Sequence, residues 1–528
     1  MTENLELLSI KDASVWATRY LGKNVTPANI SYLVNYGKVS KVGENGSTQV
    51  VKEELVEYYS KYKSDRESSW KEKLGDDLNW ALSFEELKES ETTKHVNRLH
   101  PYKGKFIPQL VEYFLDSHTD SFKKEVYFKK GDIVLDPFCG SGTTLVESNE
   151  LGINAVGIDV SVFNTLISNT KVSKHDLHKL EVEIKRITKL LYEFISSTHT
   201  PQFEQELLAE LSVFNNKYFP VPEFKRKVQL KLIDGKKYGE EKEKEFLPIY
   251  YQLVEKYNIE LLQPNNNSFL EKWYINHIRR EIDFVFQEIK KVEDENTKKI
   301  LTIILSRTMR SCRATTHADL ATLIDPVITT YYCSKHGKIC KPLFSILKWW
   351  EQYSKDTIKR FKEFDSLRTD TKQICITGDS RQADIISKVE KRDKEFADII
   401  KKRKINGIFS SPPYVGLIDY HEQHAYSYDL FGFERKDELE IGPLFKGNGL
   451  AARESYAEGI SDVLINCKKY LAEDYNIFLV ANDKHNLYPK IAERSGMKIV
   501  NQFKRPVLNR TEKDKGAYAE IIFHLKEK

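Results

Sequence analysis

Residues 131–144, GDIVLDPFCGSGTT, decide the fold of this chain. A short apolar run ends at Asp136 and leads into a turn that contains Gly140 and Gly142. The following stretch, SGTTLVESNELG, is typical of a helix, and a second apolar run, NAVGIDV, occupies residues 154–160. Strand, glycine turn, helix and strand in this order predict the start of a doubly wound α/β sheet.

The glycine turn has the chemistry of a nucleotide-like cofactor site. Glycines at 140 and 142 let the backbone approach a ligand closely, and the helix start presents unpaired N–H groups. Asp159 ends the second strand, where such folds hold ribose hydroxyls with a carboxylate. Neither a phosphate-binding Gly-Lys-Ser/Thr loop nor a GxGxxG fingerprint is present. The alternative is an ordinary glycine turn with a surface aspartate.

Strand patterns return only after a long interval. Residues from about Lys171 to Asp370 are mostly helical in pattern, and INHIRREIDFVFQEIKKVEDENTKKILTIILSRTMRSC forms one continuous periodic stretch. The charge-dense EFKRKVQLKLIDGKKYGEEKEKEF is predicted to be a solvated face or a loop. Apolar runs then recur in KQICITGDS, INGIFSSPPY, YNIFLVAND and YAEIIFHLK. The sheet is therefore predicted to be interrupted by a large insert and then completed.

The first 65 residues form a pattern of their own. Helical periodicity in LSIKDASVWATRYLG, TPANISYLVNYGKVS and VKEELVEYYSKY flanks a hairpin-like KVGENGSTQV. Thr26 and Pro27 are predicted as helix N-cap and first helical residue. This unit resembles the winged helix-turn-helix units of the excisionase and MerR type. A packing helical domain without DNA contact remains the alternative.

A second motif, SSPPY, follows the apolar run INGIF. Two prolines at a strand end cannot continue a ladder, and they leave carbonyl groups with a fixed direction. An exocyclic amino group could donate its N–H groups to Ser411 and to the Pro412 carbonyl, which would localise its lone pair for attack on a sulfonium methyl. Tyr414 would stack on a base swung out of the duplex. Without a second motif, the tetrapeptide SPPY at 411–414 is most often only a turn.

Together, the two motifs resemble the amino-methyltransferases of restriction–modification systems, which methylate cytosine N4 or adenine N6 with S-adenosylmethionine. HPYKGKFIPQL at 100–110 and TGDS at 377–380 agree with that family. The resemblance implies that the catalytic residues are Ser411, Pro412, Pro413 and Tyr414. It implies a cofactor site made of Lys105, Phe106, Asp136, Phe138, Gly140, Gly142, Thr143, Asp159 and Asp379.

The resemblance also implies a role for several of these residues. Lys105 and Phe106 would lie against the methionine part of the cofactor, and Asp136 would lie near its amino group. Asp159 would bind the ribose and Asp379 would lie near the adenine. VLNRTEKDKGAYAEIIFHLK resembles the closing hairpin, with Asn509 and Arg510 near the substrate.

The implied fold class is α/β: a Rossmann-like methyltransferase sheet with a large, mainly helical insert and a small N-terminal winged helix-turn-helix-like unit. The predicted divisions are the N-terminal unit at 1–65, the cofactor-binding part at 66–175, a target-recognition insert at 176–370 and the SPPY-containing part at 371–528. The cofactor motif precedes SPPY, as in the group with an inserted recognition domain, although DPFCGSGTT is commonest in the group with the opposite order.

The composition restricts the class of protein and the cellular location that we expect. The 528 residues carry 82 Lys and Arg against 78 Asp and Glu, so the net charge of +4 does not by itself indicate a nucleic-acid partner. We find no signal peptide and no apolar run long enough to span a bilayer, and six cysteines do not suggest a disulfide framework. We therefore expect a globular cytoplasmic protein without membrane contact. The family resemblance implies double-stranded DNA as partner, with a cognate restriction endonuclease as a further candidate.

Other methyltransferase activities require residues that can be sought in this sequence. Cytosine C5 methylation uses a nucleophilic cysteine, typically after a proline, and no cysteine of this chain follows one. An RNA or protein amino-methyltransferase would use a similar Pro-Pro-Tyr corner, usually after Asn or Asp. Within the resembling family, Ser before Pro-Pro-Tyr usually accompanies cytosine N4 methylation, so we expect N4-methylcytosine, with N6-methyladenine as the alternative.

One further group lies in the insert. Cys333, His336 and Cys340 in YYCSKHGKICKP, with Cys312 and His317 upstream, are residue types that bind zinc. The spacing lacks a clear fourth ligand, and two buried thiols beside a surface histidine explain it as well. The sequence alone therefore does not define a metal site here.

Overall fold

The computed structural model of the chain describes residues 6–21, 24–43, 48–60, 66–317, 323–509 and 516–528. Within them the strands are β1 (Leu7–Ser9), β2 (Lys41–Val42), β3 (Gln49–Val51), β4 (Ile133–Asp136), β5 (Asn154–Asp159), β6 (Tyr331–Cys333), β7 (Lys338–Cys340), β8 (Gln373–Thr377), β9 (Ile405–Ser410), β10 (Leu471–Ala481), β11 (Met497–Pro506) and β12 (Ala519–Glu527).

The α-helices are α1 (Ile10–Leu21), α2 (Pro27–Asn35), α3 (Lys52–Ser60), α4 (Arg66–Leu74), α5 (Pro108–Leu115), α6 (Thr143–Glu150), α7 (Val162–Val172), α8 (Leu177–Ser196), α9 (Thr200–Tyr218), α10 (Glu223–Gln229), α11 (Gly235–Lys256), α12 (Phe269–Trp273), α13 (Asn276–Lys290), α14 (Glu295–Ser311), α15 (Leu347–Asp365), α16 (Ile385–Glu390), α17 (Lys394–Arg403), α18 (Ala425–Phe431), α19 (Leu450–Lys468) and α20 (Tyr488–Arg494). In the described part of the chain, none of these helices is long and apolar enough to cross a membrane.

A seven-stranded sheet forms the centre, in the order β11-β12-β10-β9-β4-β5-β8. The five strands from β8 to β10 run parallel, whereas β12 is antiparallel to both β10 and β11. From β4, the chain adds β5 and β8 on one side and β9 and β10 on the other. The predicted α/β class with a parallel-rich sheet is confirmed.

Both faces of the sheet are buried, and alternate residues of each strand contribute to different cores. In β4, Val134 belongs to one hydrophobic cluster, while Ile133 and Leu135 belong to the other. Successive side chains of a strand point to opposite faces, so a strand that is apolar throughout needs cover on both. Helices on both faces supply that cover, as expected for a doubly wound sheet.

The segment between α7 and β8 is the predicted insert, and it consists mainly of helices α8 to α15 with the hairpin β6–β7. Its apolar residues continue one of the two sheet cores. Leu191, Ile282 and Trp350 of the insert belong to the same hydrophobic cluster as Val134 and Phe409 of the sheet. The insert therefore packs as an extension of one core of the central sheet.

The N-terminal residues build a separate small core. Strands β1, β3 and β2 form a three-stranded antiparallel sheet beside α1, α2 and α3, around a cluster that includes Ala13, Ile30 and Leu55. Thr26 caps α2 and Pro27 lies in its first turn, as predicted. Whether this unit is a DNA-binding winged helix-turn-helix stays a prediction.

The structure defines three stretches more closely than the sequence does. The long periodic stretch from residue 275 breaks into α13 and α14, because Asp294 ends the intervening turn and caps α14 by accepting the Thr297 N–H at 2.7 Å. The charge-dense stretch, predicted as a solvated face or a loop, forms α10 and the first part of α11, and most of its residues are exposed while Phe224 and Phe246 are buried. Strand β11 was missed, since many of its residues are polar and it lies at the sheet edge.

Candidate active site

The candidate site lies where the strand order reverses. Strand β4 has β5 on one side and β9 on the other, and the loops after these strands leave the same edge of the sheet. Open α/β sheets bind ligands at the carboxyl ends of the strands at such a reversal. The topology therefore brings DPFCGSGTT and SSPPY to opposite sides of one crevice, although they are far apart in sequence.

A cleft with an open volume of about 840 Å³ occupies this crevice. Most of the predicted site residues line it: Lys105, Phe106, Phe138, Gly140, Thr143, Asp159, Asp379, Ser411 and Pro413. Asp136, Gly142, Pro412 and Tyr414 are not part of its wall.

Gly140 and Gly142 have different structural reasons for being glycine. Gly140 has φ of 51°, and a Cβ there would lie 3.0 Å from the Tyr102 hydroxyl, which closes over the turn. Gly142 has φ of 78° and caps α6, where a Cβ would lie 2.8 Å from the Ser168 Oγ. Thus Gly140 shapes the cleft, whereas Gly142 lets α6 pack against α7.

Asp159 is the carboxylate that the cleft presents at the end of β5. Its Oδ2 accepts the Gly140 N–H at 2.8 Å, and its Oδ1 accepts the Ser161 N–H at 2.8 Å and the Asn164 side-chain amide at 3.1 Å. Burial raises its pKa to about 6, against these hydrogen bonds, which lower it. A carboxylate has about four acceptor positions, so one remains for a hydroxyl group of a ligand.

Asp136 lies beneath the glycine turn. It is 1% exposed, and its Oδ1 accepts the Ser410 hydroxyl at 2.5 Å and the Phe138 N–H at 3.2 Å. Burial raises its pKa to about 6. In this arrangement, Asp136 connects the end of β4 to the end of β9 and thereby sets the two loops relative to each other.

The segment before α5 closes another side of the cleft. Lys105 donates from Nζ to the Asn97 carbonyl at 2.7 Å, and burial lowers its pKa to about 8. The Phe106 ring packs edge-on against Phe409 of β9, with ring centres 5.4 Å apart. This segment therefore packs directly against the sheet beside the cleft.

Asp379 lies at the far side of the cleft, after β8. Its carboxylate accepts hydrogen bonds from Arg381 Nε at 2.9 and 3.0 Å and from the Arg381 backbone N–H at 3.0 Å. The neighbouring Ser380 donates its hydroxyl to the Pro137 carbonyl at 2.6 Å. The loop after β8 is thus tied to the turn after β4.

The SSPPY corner presents a polar group to the cleft. Ser411 donates its hydroxyl to the Val480 carbonyl of β10 at 3.1 Å. Because that bond uses its proton, the Ser411 oxygen meets any further partner as an acceptor. Tyr414 donates its hydroxyl to Glu520 Oε1 of β12 at 2.8 Å, and its ring packs against a sheet core.

Several residues of the cleft were not predicted from the sequence. Tyr102, Ser161, Asn164, Tyr420 and Glu440 all line it. Glu440 accepts the backbone N–H groups of Tyr420 at 3.1 Å and His421 at 2.8 Å, and its carboxylate also contacts the His421 ring. Tyr102 lies within HPYKGKF, residues 100–106, which agrees with the family, but no pattern in the sequence singles out Glu440.

Two of the lining residues bear buried polar atoms that fit a bound ligand. Ser141 Oγ and Asn164 Oδ1 have no hydrogen-bond partner among the described residues. Buried polar atoms are almost always paired. Together with the remaining acceptor position of Asp159 and the apolar walls from Phe106 and Phe138, they suit a nucleoside-bearing cofactor.

Strands β11 and β12 pair antiparallel; the stretch predicted as the closing hairpin, residues 507–526, contains most of β12, whereas β11 precedes it. Asn509 follows β11 and its carbonyl accepts an Arg66 guanidinium N–H at 3.3 Å. Arg510 lies outside the described residues, and its predicted position near the substrate stays a prediction.

Comparisons with known proteins agree along most of the chain. A family described as DNA methylase matches residues 19–165. The chain is 48% identical over 525 residues to the type II methyltransferase M.MjaII of Methanocaldococcus jannaschii, covering 99% of this chain and 97% of that protein. It is 24% identical over 258 residues to the type II methyltransferase M.MvaI of Kocuria varians, covering 46% and 55%. It is 33% identical over 91 residues to M.BsoBI of Geobacillus stearothermophilus, covering 17% and 16%.

Proposed function

This chain belongs to the type II DNA methyltransferases that modify exocyclic amino groups, and from that premise we propose that it methylates cytosine N4 in duplex DNA. S-adenosylmethionine is the methyl donor, and it supplies a methyl group on a positively charged sulfur when bound. The target base is swung out of the duplex to reach the cleft, because its amino group is inaccessible within the base stack.

The residues of the cleft divide between the two ligands in this proposal. Asp159 holds the ribose hydroxyls and Asp379 lies beside the adenine. Lys105 and Phe106 cover the methionine part. The support is that all four residues line one cleft, on elements that hydrogen bonds hold in place around it.

Ser411 carries the proposal for the product. Its oxygen lines the cleft as an acceptor, because its hydrogen is donated to Val480. An amino group that donates one N–H to Ser411 and another to the Pro412 carbonyl is held in one orientation, with its lone pair directed away from both acceptors. The neutral, short serine favours the N4 amino group of cytosine. Tyr414 lies beside this corner but outside the cleft wall, so its proposed stacking on the extruded base needs a movement of the ring away from the sheet core.

Recognition of DNA is assigned to two other regions. The insert at 176–370 reads the target sequence, and the unit at 1–65 adds affinity as a winged helix-turn-helix. The helices α1 and α2 beside the β2–β3 hairpin support the second assignment. A restriction endonuclease of the same specificity is the candidate biological partner.

The product is tested by expressing the chain in a host without this modification and digesting the host DNA to nucleosides. We expect N4-methylcytosine by mass spectrometry. Ser411→Ala should lower the methylation rate roughly 10- to 100-fold while cofactor affinity stays unchanged, since the lost bond is worth about 1.4–3 kcal/mol in the transition state. Ser387→Ala, in α16 and outside the cleft wall, is the matched control.

The alternatives give different readouts in the same experiment. If N6-methyladenine is the sole product, the target base is adenine and not cytosine, while the reaction is still methyl transfer to an exocyclic amino group. Modified nucleosides confined to RNA would contradict the DNA substrate. An unimpaired Ser411→Ala rate would remove Ser411 from the reacting centre.

A further inference from the structure

Four potential metal ligands meet in the insert, outside the cleft wall. They are His317, after the end of α14, and Cys333, His336 and Cys340 of the β6–β7 hairpin. Each offers one ligand atom, and these atoms all lie within 4.8 Å of one another. His317 is therefore the fourth member that the spacing of the other three does not reveal. Cys312 instead belongs to the hydrophobic core.

The distances match a tetrahedral site. His336 Nδ1 lies 3.5 Å from Cys333 Sγ and 3.4 Å from Cys340 Sγ, and His317 Nδ1 lies 3.8 Å from Cys333 Sγ. With zinc–sulfur bonds of about 2.3 Å and zinc–nitrogen bonds of about 2.0–2.1 Å, tetrahedral geometry separates nitrogen from sulfur by about 3.5 Å.

His317 Nδ1 is already hydrogen-bonded to the Tyr331 hydroxyl at 2.8 Å, but hydrogen bonding alone accounts poorly for the position of His336. The Nδ1 atom of His336 faces two sulfur atoms at nearly equal distances. A neutral imidazole nitrogen has either one proton or one lone pair, so it can pair well with only one thiol. A metal ion bound to all three atoms satisfies them together.

The hairpin that carries three of the ligands is small. Strands β6 and β7 have three residues each, and among the described strands they pair only with each other. Two-stranded hairpins of this size are marginal without additional support. Its turn is compact, because Gly337 has φ of 64° and donates its N–H to the Cys333 carbonyl at 2.6 Å. Asn215 of α9 brackets Ile339 with two hydrogen bonds, of 2.9 and 3.0 Å.

We propose that His317, Cys333, His336 and Cys340 bind one Zn²⁺ ion as a structural site. Two thiolates and two imidazoles are a common ligand set for structural zinc, and four protein ligands leave no open position for a substrate. The ion fixes the β6–β7 turn to the segment that follows α14.

The site would also position the surface that meets the N-terminal unit. The Lys335 carbonyl in the hairpin turn accepts the Lys225 ammonium of α10 at 2.9 Å. That ammonium lies 3.7 Å from the centre of the Tyr36 ring at the end of α2. Zinc in the insert therefore stabilises a contact between the proposed recognition insert and the proposed DNA-binding unit.

The test is metal analysis of the full chain, purified without chelators from zinc-containing medium. Plasma mass spectrometry should find about one zinc ion per chain. Cys333→Ala and Cys340→Ala should abolish stoichiometric zinc, and His317→Ala, at an exposed position, should lower zinc affinity at least tenfold. Cys312→Ala and His178→Ala remove a buried thiol and an exposed imidazole of the insert outside the cluster, and both should retain zinc.

Cobalt loading provides a second readout that does not depend on activity. Cobalt in the wild-type chain should show thiolate-to-metal absorption, which Cys333→Ala loses and Cys312→Ala keeps. Binding of S-adenosylmethionine by His317→Ala checks that this variant is folded. A wild-type chain that holds less than about a tenth of an equivalent of zinc after zinc incubation would overturn the proposal. So would a Cys333–Cys340 disulfide in fresh protein, or zinc loss in the control variants equal to that in Cys333→Ala.

Discussion

At the scale of single residues, Asp159 joins the glycine turn to the ligand cleft. One of its oxygens accepts the Gly140 N–H, and the other accepts groups of Ser161 and Asn164 at the start of α7. The same carboxylate forms part of the cleft wall. It therefore shapes the turn and also contributes an acceptor to the proposed ribose site.

Asp159→Asn is expected to weaken S-adenosylmethionine binding by roughly 10- to 100-fold, because a hydrogen bond to a charged partner contributes about 1.5–3 kcal/mol. Isothermal calorimetry measures the change. Asp398→Asn replaces an exposed aspartate of α17 and should leave the affinity unchanged. Unchanged affinity in Asp159→Asn would exclude this residue from the cofactor site.

The pH dependence of binding adds a check on the same residue. Burial raises the pKa of Asp159 to about 6. The acceptor form is therefore present above this pH and is lost as the pH falls, so the affinity should decrease below pH 6 and level off roughly 10- to 100-fold lower, as in Asp159→Asn. Asp136 has a similar pKa, so the variant identifies the group: if Asp159 is responsible, the affinity of Asp159→Asn should no longer change with pH in this range.

How far the site could be predicted depends on how local its determinants are. Asp159 ends β5, Ser411 follows β9 and Gly140 lies in the turn after β4, so a strand pattern and a turn were enough to predict that they share one edge of the sheet. Tyr420 and Glu440 come from the long connection after SSPPY, whose course depends on contacts with distant residues. No local pattern contains that information.

At the scale of elements, the segment before α5 is held on α6 by buried charges. Lys94 Nζ lies 2.7 Å from Glu147 and 2.9 Å from Glu150 of α6, and Asn97 donates its side-chain amide to Glu147 at 2.8 Å. The Glu147 side chain is 1% exposed. Burial raises the Glu147 pKa, and Lys94 opposes that shift. The segment continues to Lys105 in the cleft, so this cluster positions one wall of the site.

Lys94→Met is expected to lower the free energy of unfolding by about 2–3 kcal/mol, because it leaves Glu147 buried without its cation. Urea denaturation followed by fluorescence measures the loss. Lys174→Met breaks an exposed ion pair with Asp370 and should cost less than about 0.5 kcal/mol. Adding Glu147→Gln to Lys94→Met should recover part of the loss, and a purely additive double variant would contradict the pairing.

The predictability of the elements follows the same logic. The buried strands β4, β5 and β9 were evident as short apolar runs beside turn residues. Fewer than half of the residues of β11 are buried, and α10 and α11 bury only a few of theirs. None of the three elements therefore shows a strong hydrophobic pattern in the sequence. The break between α13 and α14 depends on a four-residue turn, which a continuous helical periodicity conceals.

At the scale of the whole molecule, the N-terminal unit is the part most separable from the catalytic core. Among the residues that the structure describes, its hydrophobic cluster contains none from the seven-stranded sheet or the insert. Deleting residues 1–65 should weaken DNA binding by roughly tenfold without changing the methylated sequence, because phosphate contacts add affinity whereas base contacts specify. Fluorescence anisotropy and sequencing of the modified sites measure the two effects.

Retained S-adenosylmethionine affinity in the truncated chain is the control that the core is intact. A changed recognition sequence would reverse the roles assigned to the insert and the N-terminal unit. Undiminished DNA affinity would favour the alternative in which residues 1–65 only pack against the insert.

The interrupted sheet has a consequence for synthesis on the ribosome. The Asn154 side chain, at the start of β5, accepts the backbone N–H of Lys372, which lies 218 residues later in the chain. Strand β5 therefore cannot pair with β8 until the whole insert has been translated, and the β11–β12 hairpin is synthesised later still. Closing so long a loop is entropically costly and slow. A nascent chain stalled before residue 373 should thus expose an unpaired strand edge, making chaperone capture most frequent during translation of the insert.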